Sequence, residues 1–400
     1  VSSVENQVII VGAGPVGLSA AMRLNAFGIA CTVLEKGPDI PDDLRASTFH
    51  PPTLDMLDDY GFTQGLLDQG RICPSWQIRM HDTHEKAEFD LSLLKDVTRH
   101  PYRLQVEQFR LCILIRDALL GESNVDMRFN AEVTSLTQDE DGVQVQLLEN
   151  GEETTVSGRY VIAADGARSI IREQLGFSFE GVTYPEITVL ATTDFPFEEH
   201  LPGLSNVNYI WAKDGTFSLL HLPTKWRCSL YPDKGQSYDD LMDPVVVNEK
   251  MQRIVPRDEP YEVIDLRDYR VHMRIVEQYR AGRVLLAGDA AHINSPSGGM
   301  GMNGGVHDAF AATDAIHKIW HGGPDSLLDA YSATRQAVAA EDILKQADKN
   351  RARMQERDPE RRRAMFEDLQ KTASDPALAR AHLMRSSMIE GLQKAAKAAA

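Results

Sequence analysis

QVIIVGAGPVGLSAAMRLNAFGIACTVLE, residues Gln7 to Glu35, decides the fold. Gln7 to Val11 reads as a buried strand, Pro15 to Phe27 as an apolar helix that Gly28 ends, and Ile29 to Leu34 as a second strand. Gly12, Gly14 and Gly17 lie between the first strand and the helix, and Glu35 follows Gly17 by 18 residues. That is the full βαβ context of a dinucleotide site rather than a lone glycine pattern. The first glycine permits a tight turn, the second lets a pyrophosphate approach the backbone, and the third lets helix and strand pack closely. Glu35 can then bind two ribose hydroxyls. The motif does not say which dinucleotide is bound.

A second stretch, GRVLLAGDAAHINSPSGGMGMNGG from Gly282 to Gly305, carries a strand into an acidic turn, a proline, a glycine cluster and a helix. Val284 to Ala287 forms the strand, and Gly288 lets the chain turn so that Asp289 faces outward to accept hydrogen bonds from hydroxyls. Gly298, Gly299 and Gly301 strip away side chains, so backbone N–H groups at Met302 and Asn303 can meet a ligand at the helix start. Negative charge is favoured there, as at the pyrimidine edge of a reduced flavin. Tyr160 to Ala164 followed by Asp165-Gly166 repeats the strand and acidic turn.

Composition bounds the partners. Forty-two basic residues against 59 acidic ones give a formal net charge of -17, which argues against nucleic acid or an anionic membrane as a partner. Four cysteines without CxxC spacing imply reduced thiols and a cytoplasmic protein. The N-terminal VSSVENQ lacks the pattern of a signal peptide, and no apolar run reaches the roughly 18 residues of a membrane span. His50, His81 and His84 show no ligand pattern, so no metal site is expected.

Between the motifs, Arg45 stands in a loop where it could neutralise a pyrophosphate, and Gln105 lies in an extended stretch before a helix. Alternating apolar residues from Val125 to Val161 suggest an antiparallel meander, and Gly181 to Arg270 reads as a second sheet. Its aromatic face could cover a planar substrate, with Tyr209 and His221 as candidates to ionise it. Helical periodicity runs from Val306 to Trp320 and from Ser326 to about Met365, with a final amphipathic segment from Ala377 to Leu392 that suits packing on the body or in a homodimer. The run Arg361 to Arg363 reads as a solvated helix face.

The combination of GAGPVG with Glu35, then ADGARS, then LAGDAAH with Pro296 and its glycine cluster resembles the class A single-component FAD-dependent aromatic hydroxylases of the para-hydroxybenzoate hydroxylase type, over roughly residues 7 to 345. The resemblance implies an α/β chain: a Rossmann-like FAD-binding domain of GR2 type with an inserted β-sheet substrate domain and a helical C-terminus. The FAD-binding domain would comprise residues 1–75, 100–180 and 271–345, the substrate sheet 76–99 and 181–270, and the C-terminal helices 346–400.

By the same resemblance, Gly12, Gly14, Gly17 and Glu35 would hold the ADP half of FAD, Arg45 and Gln105 its middle, and Asp289 its ribityl chain. Gly301, Met302 and Asn303 would meet the flavin, and Asp165 both FAD and transient NADH or NADPH. Pro296 would border the reacting ring, and Arg227 would be the mobile arginine beside the flavin. The implied activity is NAD(P)H- and O2-dependent hydroxylation of a phenolic or hydroxylated heteroaromatic molecule through a flavin C4a-hydroperoxide. Ser295 replaces a second proline of the pattern, so the substrate need not be para-hydroxybenzoate. The alternatives are another FAD oxidoreductase on this scaffold, such as a reductase or epoxidase, or a flavin-binding protein without turnover.

Overall fold

Four segments distant in sequence supply one parallel sheet. The structure is a computed structural model that describes residues 7–42, 46–233 and 236–398. Val8–Val11 lies at the centre, paired in parallel with Cys31–Leu34 on one side and Tyr160–Ala163 on the other, and Val284–Leu286 follows Tyr160–Ala163. Each of these strands is buried along its whole length. They are continuous apolar runs rather than alternating ones, as a parallel sheet covered on both faces requires. Helix Pro15–Ala26 packs against the later helix Gly301–Trp320.

Val125–Arg128 corrects the expected meander: it pairs in parallel with Cys31–Leu34 as the edge of the main sheet. The antiparallel meander comprises only Ala131–Gln138, Val143–Glu149 and Glu152–Gly158. Alternation over four residues marks a half-buried strand but not the neighbour it pairs with.

The second large sheet has eight strands in the order His292–Ile293, Asp265–Ile275, Glu180–Thr193, Trp226–Leu230, Gly215–His221, Val207–Ala212, Ser75–Met80 and Lys86–Asp90. Side chains alternate between its faces, and the register sets which residues share one. Tyr209 lies opposite Ser218 and Ile78, and Leu220 opposite Arg227. One face buries Ile210, Phe217, Leu219, Trp226 and Cys228 against Phe197, Met251 and Tyr261. The other buries Trp76, Ile78, Val207 and Trp211 against Phe366, Leu369 and Leu383 of the C-terminal helices. Helix Pro244–Ile254 interrupts the stretch read as all sheet. Asp243 accepts from the Val245 N–H and Pro244 opens the first turn, a helix start that outweighs the β-branched run Val245 to Val247.

The long helix expected from Ser326 to about Met365 is broken. Ser326–Val338 runs through a π turn, Ala339–Leu344, into Lys345–Gln355, and a new helix, Pro359–Ser374, starts where Asp358 accepts from the Glu360 and Arg361 N–H groups. Arg362 is not on a solvated face either. It is buried and donates to the carbonyls of Glu356, Ala212 and Gly215. All four cysteines are free and buried. Among the described residues, no helix is long and apolar enough to cross a membrane.

Candidate active site

The three glycine-acid motifs meet at the C-terminal edge of the parallel sheet, and their glycines show how tightly. A Cβ on Gly12 (φ +101°) would lie 2.4 Å from the Ala164 carbonyl oxygen, and one on Gly17 would lie 1.9 Å from that of Gly12. A Cβ on Gly288 would lie 2.8 Å from Val16 Cγ2, and one on Gly305 would meet the same atom at 2.6 Å. Only backbone can pass at these distances, so the first motif touches both of the others. Gly14 differs: a Cβ there would meet nothing within 4 Å. It caps helix Pro15–Ala26, whose first amides have no carbonyl in their own helix to bond, and so it opens a cradle for an anion. Glu35 is held in place at the cradle's rim, with Oε2 accepting from the Ala13 N–H and Oε1 from the Gly37 N–H, each at 2.9 Å.

Asp165 follows the strand Tyr160–Ala163. Its Oδ2 accepts weakly from the Ile171 N–H at 3.4 Å, while Oδ1 is buried with no protein partner among the described residues. Burial raises the carboxyl above its ordinary pKa. Asp289 is exposed on the turn Gly288–Ala290, and that turn rests on a buried charge network. Asp308 Oδ2 accepts from the Gly288 N–H at 3.0 Å and pairs with His292 Nε2 at 2.9 Å, and Asp308 Oδ1 accepts from Arg335 Nε at 2.6 Å. Asp308 lies in the helix that begins at Gly301, so one carboxylate fixes the acidic turn to the helix behind it.

Asn303 ties the proline-glycine loop to the middle of the site. Its Oδ1 accepts from the His50 N–H at 2.9 Å, and its Nδ2 donates to the carbonyls of Thr48 and Gly299 at 2.8 and 2.7 Å. With its side chain committed, what it and Met302 can offer a ligand is backbone N–H at the helix start. A Cβ on Gly301 would lie 2.9 Å from Asn294 Oδ1, so that side chain would have to shift to admit one. Thr48 also hydrogen-bonds the buried Gln105, with side-chain distances of 3.0 and 3.1 Å. Pro296 is exposed, and its carbonyl accepts from the Gly299 N–H at 3.0 Å. Arg45 lies outside the described residues.

The eight-stranded sheet faces this loop with Tyr209, Arg227, Ser229 and Tyr231, which share one face by register. Arg227 Nη1 donates to Ser47 Oγ at 3.1 Å, and Tyr231 lies against Ser297. Arg103 lies against Tyr209. His221 is not with them. It lies on the opposite face, stacked 4.1 Å from Trp226, with Nδ1 3.2 Å from Asn206 Oδ1. Burial, reinforced by Arg71, lowers its pKa to about 4.

The sequence profile of the FAD binding domain family matches residues 5–346. The chain belongs to that family. This FAD-binding chain is 33% identical to para-nitrophenol 4-monooxygenase of a Pseudomonas strain, WBC-3, over 98% of each protein. It is 31% identical to 6-hydroxy-3-succinoylpyridine 3-monooxygenase of Pseudomonas putida, over 87% of this chain and 88% of that one. Its fold matches the crystal structure of p-nitrophenol 4-monooxygenase PnpA from Pseudomonas putida DLL-E4 with a TM-score of 0.89 at 31% identity, covering 97% of this chain and 98% of that one. The chain is an FAD-dependent aromatic monooxygenase that uses NAD(P)H as co-substrate.

The site fits the cofactor on structural grounds: an open Gly14 at a helix start, a tethered Glu35, and a buried Asp165 oxygen awaiting a donor. Several residues of the FAD-binding chain that complete this site escaped the sequence reading. His50 donates from Nε2 to the Gly298 carbonyl at 2.8 Å, which leaves Nδ1 buried and, among the described residues, without a partner. Thr48, Arg103, Asp308 and Arg335 carry no local signature, and His292 closes the LAGDAAH stretch without showing there that it pairs with Asp308. A capping pattern or glycine shows in sequence, whereas a buried ion pair between positions 308 and 335 does not.

Proposed function

We propose that this monooxygenase hydroxylates a single-ring phenol or hydroxypyridine held between the Tyr209 face of the large sheet and the Pro296 loop. The observation that carries this reading is the contact of the three motif loops around the open Gly14 cradle, with the polar sheet face joined to the same site through Arg227 and Ser47. The relatives named above act on para-nitrophenol and on a hydroxypyridine, both one-ring substrates.

FAD, once reduced by NAD(P)H, supplies the activated oxygen that an electron-rich ring takes up. The chain's own residues do the rest. Gly12, Gly14 and Gly17 let the pyrophosphate reach the amides of helix Pro15–Ala26, and Glu35 binds the adenosine ribose. Gln105 contacts the middle of the cofactor, and Asp289 the ribityl hydroxyls. Asp165 uses its spare oxygen toward FAD and the passing nicotinamide cofactor. The Gly301, Met302 and Asn303 amides stabilise charge at the flavin's pyrimidine edge. Pro296 would border the reacting ring, Tyr209 would hold its hydroxyl, and Arg227, hydrogen-bonded to Ser47, would serve on the flavin side. Burial of the ring under the C-terminal helices excludes water.

Residues 1–75, 100–180 and 271–345 act as the FAD-binding unit and 76–99 with 181–270 as the substrate sheet. The protein works in the cytoplasm. Screening one-ring phenols and hydroxypyridines tests the reading: at least one should stimulate NADH or NADPH oxidation and yield a product heavier by one oxygen atom. Oxidation that no such compound stimulates, or stimulation without an oxygenated product, refutes it.

A further inference from the structure

Two arginines with buried Nε atoms both reach Tyr209 on the substrate side of the large sheet, and among the described residues neither is paired with a carboxylate. Arg103, 3% exposed, belongs to the short strand Arg103–Gln105, and Arg353 to the helix Lys345–Gln355. Arg353 as a whole is only partly buried, yet its Nε, like that of Arg103, is sealed from solvent and, among the described residues, without a hydrogen-bond partner. Both guanidinium groups interact with Tyr209. Arg103 Cζ lies 5.2 Å from the centre of the Trp76 ring, whose Nε1 is also buried without a partner. Arg353 Nη2 donates to Asn350 Oδ1 at 3.1 Å, and Asn350 Nδ2 reaches the Ser297 carbonyl at 3.3 Å. Arg353 is therefore joined to the loop that carries Pro296.

The groups acting on Arg103 and Arg353 include no carboxylate among the described residues. His382 lies near both and is also cationic when protonated, and burial, with the arginines around it, lowers its pKa to about 4, so it is neutral at pH 7. Two other buried cations have a carboxylate beside them. Arg335 has Asp308 at 2.6 Å, and Lys250 has Asp233 at 3.0 Å. An uncompensated buried charge costs several kcal/mol, and a bound anion offsets that cost. A guanidinium is suited to it because its planar fork matches two oxygens of one group and it stays charged when buried.

We infer that Arg103 and Arg353, with the Tyr209 hydroxyl, form a subsite for an oxyanion carried by the aromatic ring, so that the enzyme selects rings bearing one over neutral rings of the same shape. The assignment rests on the substrate site proposed above, and it gives the C-terminal helices a direct part in specificity. The oxyanion is either the ionised phenol oxygen or an acidic ring substituent, and the subsite recognises their shared chemistry.

Titration of the FAD-loaded enzyme with para-nitrophenol, para-hydroxybenzoate and neutral para-hydroxybenzamide, followed by perturbation of the flavin absorbance, tests this without turnover. Arg103→Gln and Arg353→Gln should each raise Kd for the anionic ligands about tenfold or more, as loss of a charged hydrogen bond does, and leave hydroxybenzamide within about threefold. Arg353→Lys keeps the charge and should restore part of the loss. A penalty on para-nitrophenol that appears only above its ionisation pH assigns the phenolate oxygen, and a penalty on para-hydroxybenzoate while its phenol is still neutral assigns the substituent. Equal weakening of all three ligands, no weakening in variants with full FAD content, or no binding of either anion to the unaltered enzyme overturns the subsite. Failure of the hydroxylase reading is distinct: the ligands would still discriminate by charge, yet no phenol would be oxygenated.

Discussion

Replacing Asp308 by Asn tests how the acidic turn is held. The carboxylate is fully buried and takes three donors: the Gly288 N–H at 3.0 Å, His292 Nε2 at 2.9 Å and Arg335 Nε at 2.6 Å. Asparagine keeps the shape but offers one acceptor oxygen. If that oxygen stays with Arg335, the new NH2 confronts the Gly288 N–H, and in either orientation the buried guanidinium loses its counter-charge. Removing one partner of a buried ion pair costs about 3–5 kcal/mol. Because Gly288 sets the turn that presents Asp289, FAD affinity should fall as well, by about tenfold for each 1.4 kcal/mol passed on to the turn.

The assay is denaturant unfolding of the apoprotein alongside FAD reconstitution followed by flavin fluorescence. Asp308→Asn combined with Arg335→Met removes both charges and should recover at least half of the apoprotein loss, since a missing pair is far cheaper than a broken one. A loss below about 1 kcal/mol for Asp308→Asn, or a double variant as unstable as the sum of the single ones, refutes the reasoning. The pH dependence has a definite sign. Burial opposes ionisation of Asp308, but Arg335 and His292 outweigh it and hold the carboxyl below its usual value. The stabilisation is then complete above the unfolded carboxyl value of about 3.9 and is lost as pH falls through the lower folded value, a limb that Asp308→Asn should flatten.

Gly305→Ala places a methyl 2.6 Å from Val16 Cγ2 and 3.0 Å from Gly288 Cα, so thermal unfolding should show about 1–3 kcal/mol of overpacking together with reduced FAD content. Unchanged flavin content would separate this contact from the cofactor cradle. Asp289→Ala should lower FAD retention through purification with little effect on apoprotein stability, because the side chain is exposed; full retention would remove Asp289 from the ribityl contact. His221 takes up a proton near 6.5 when unfolded but only near pH 4 when folded, so stability falls as pH drops through that window and levels off below it. His221→Asn should flatten that fall, and a shifted pH profile of hydroxylation in the same variant would return His221 to the reacting site.

What the sequence determined by itself was local geometry. Gly12 and Gly17 stand where backbone must pass backbone, and Gly288 turns at φ +61° against the Val16 side chain, so the need is written in the residue. The period of Gln7 to Leu34 likewise carried the βαβ unit, because a buried strand and an apolar helix differ in pattern within a dozen residues. The tertiary structure decided whatever depends on pairing across the chain. Val125–Arg128 joined the main sheet, and His221 parted from Tyr209 because a strand's register places successive residues on opposite faces. Arg103 and Arg353, 250 residues apart, carry no shared signal in sequence. Only the tertiary packing of the strand Arg103–Gln105 and the helix Lys345–Gln355 brings both to Tyr209, since the cost of a buried charge depends on what surrounds it and not on its neighbours in the chain.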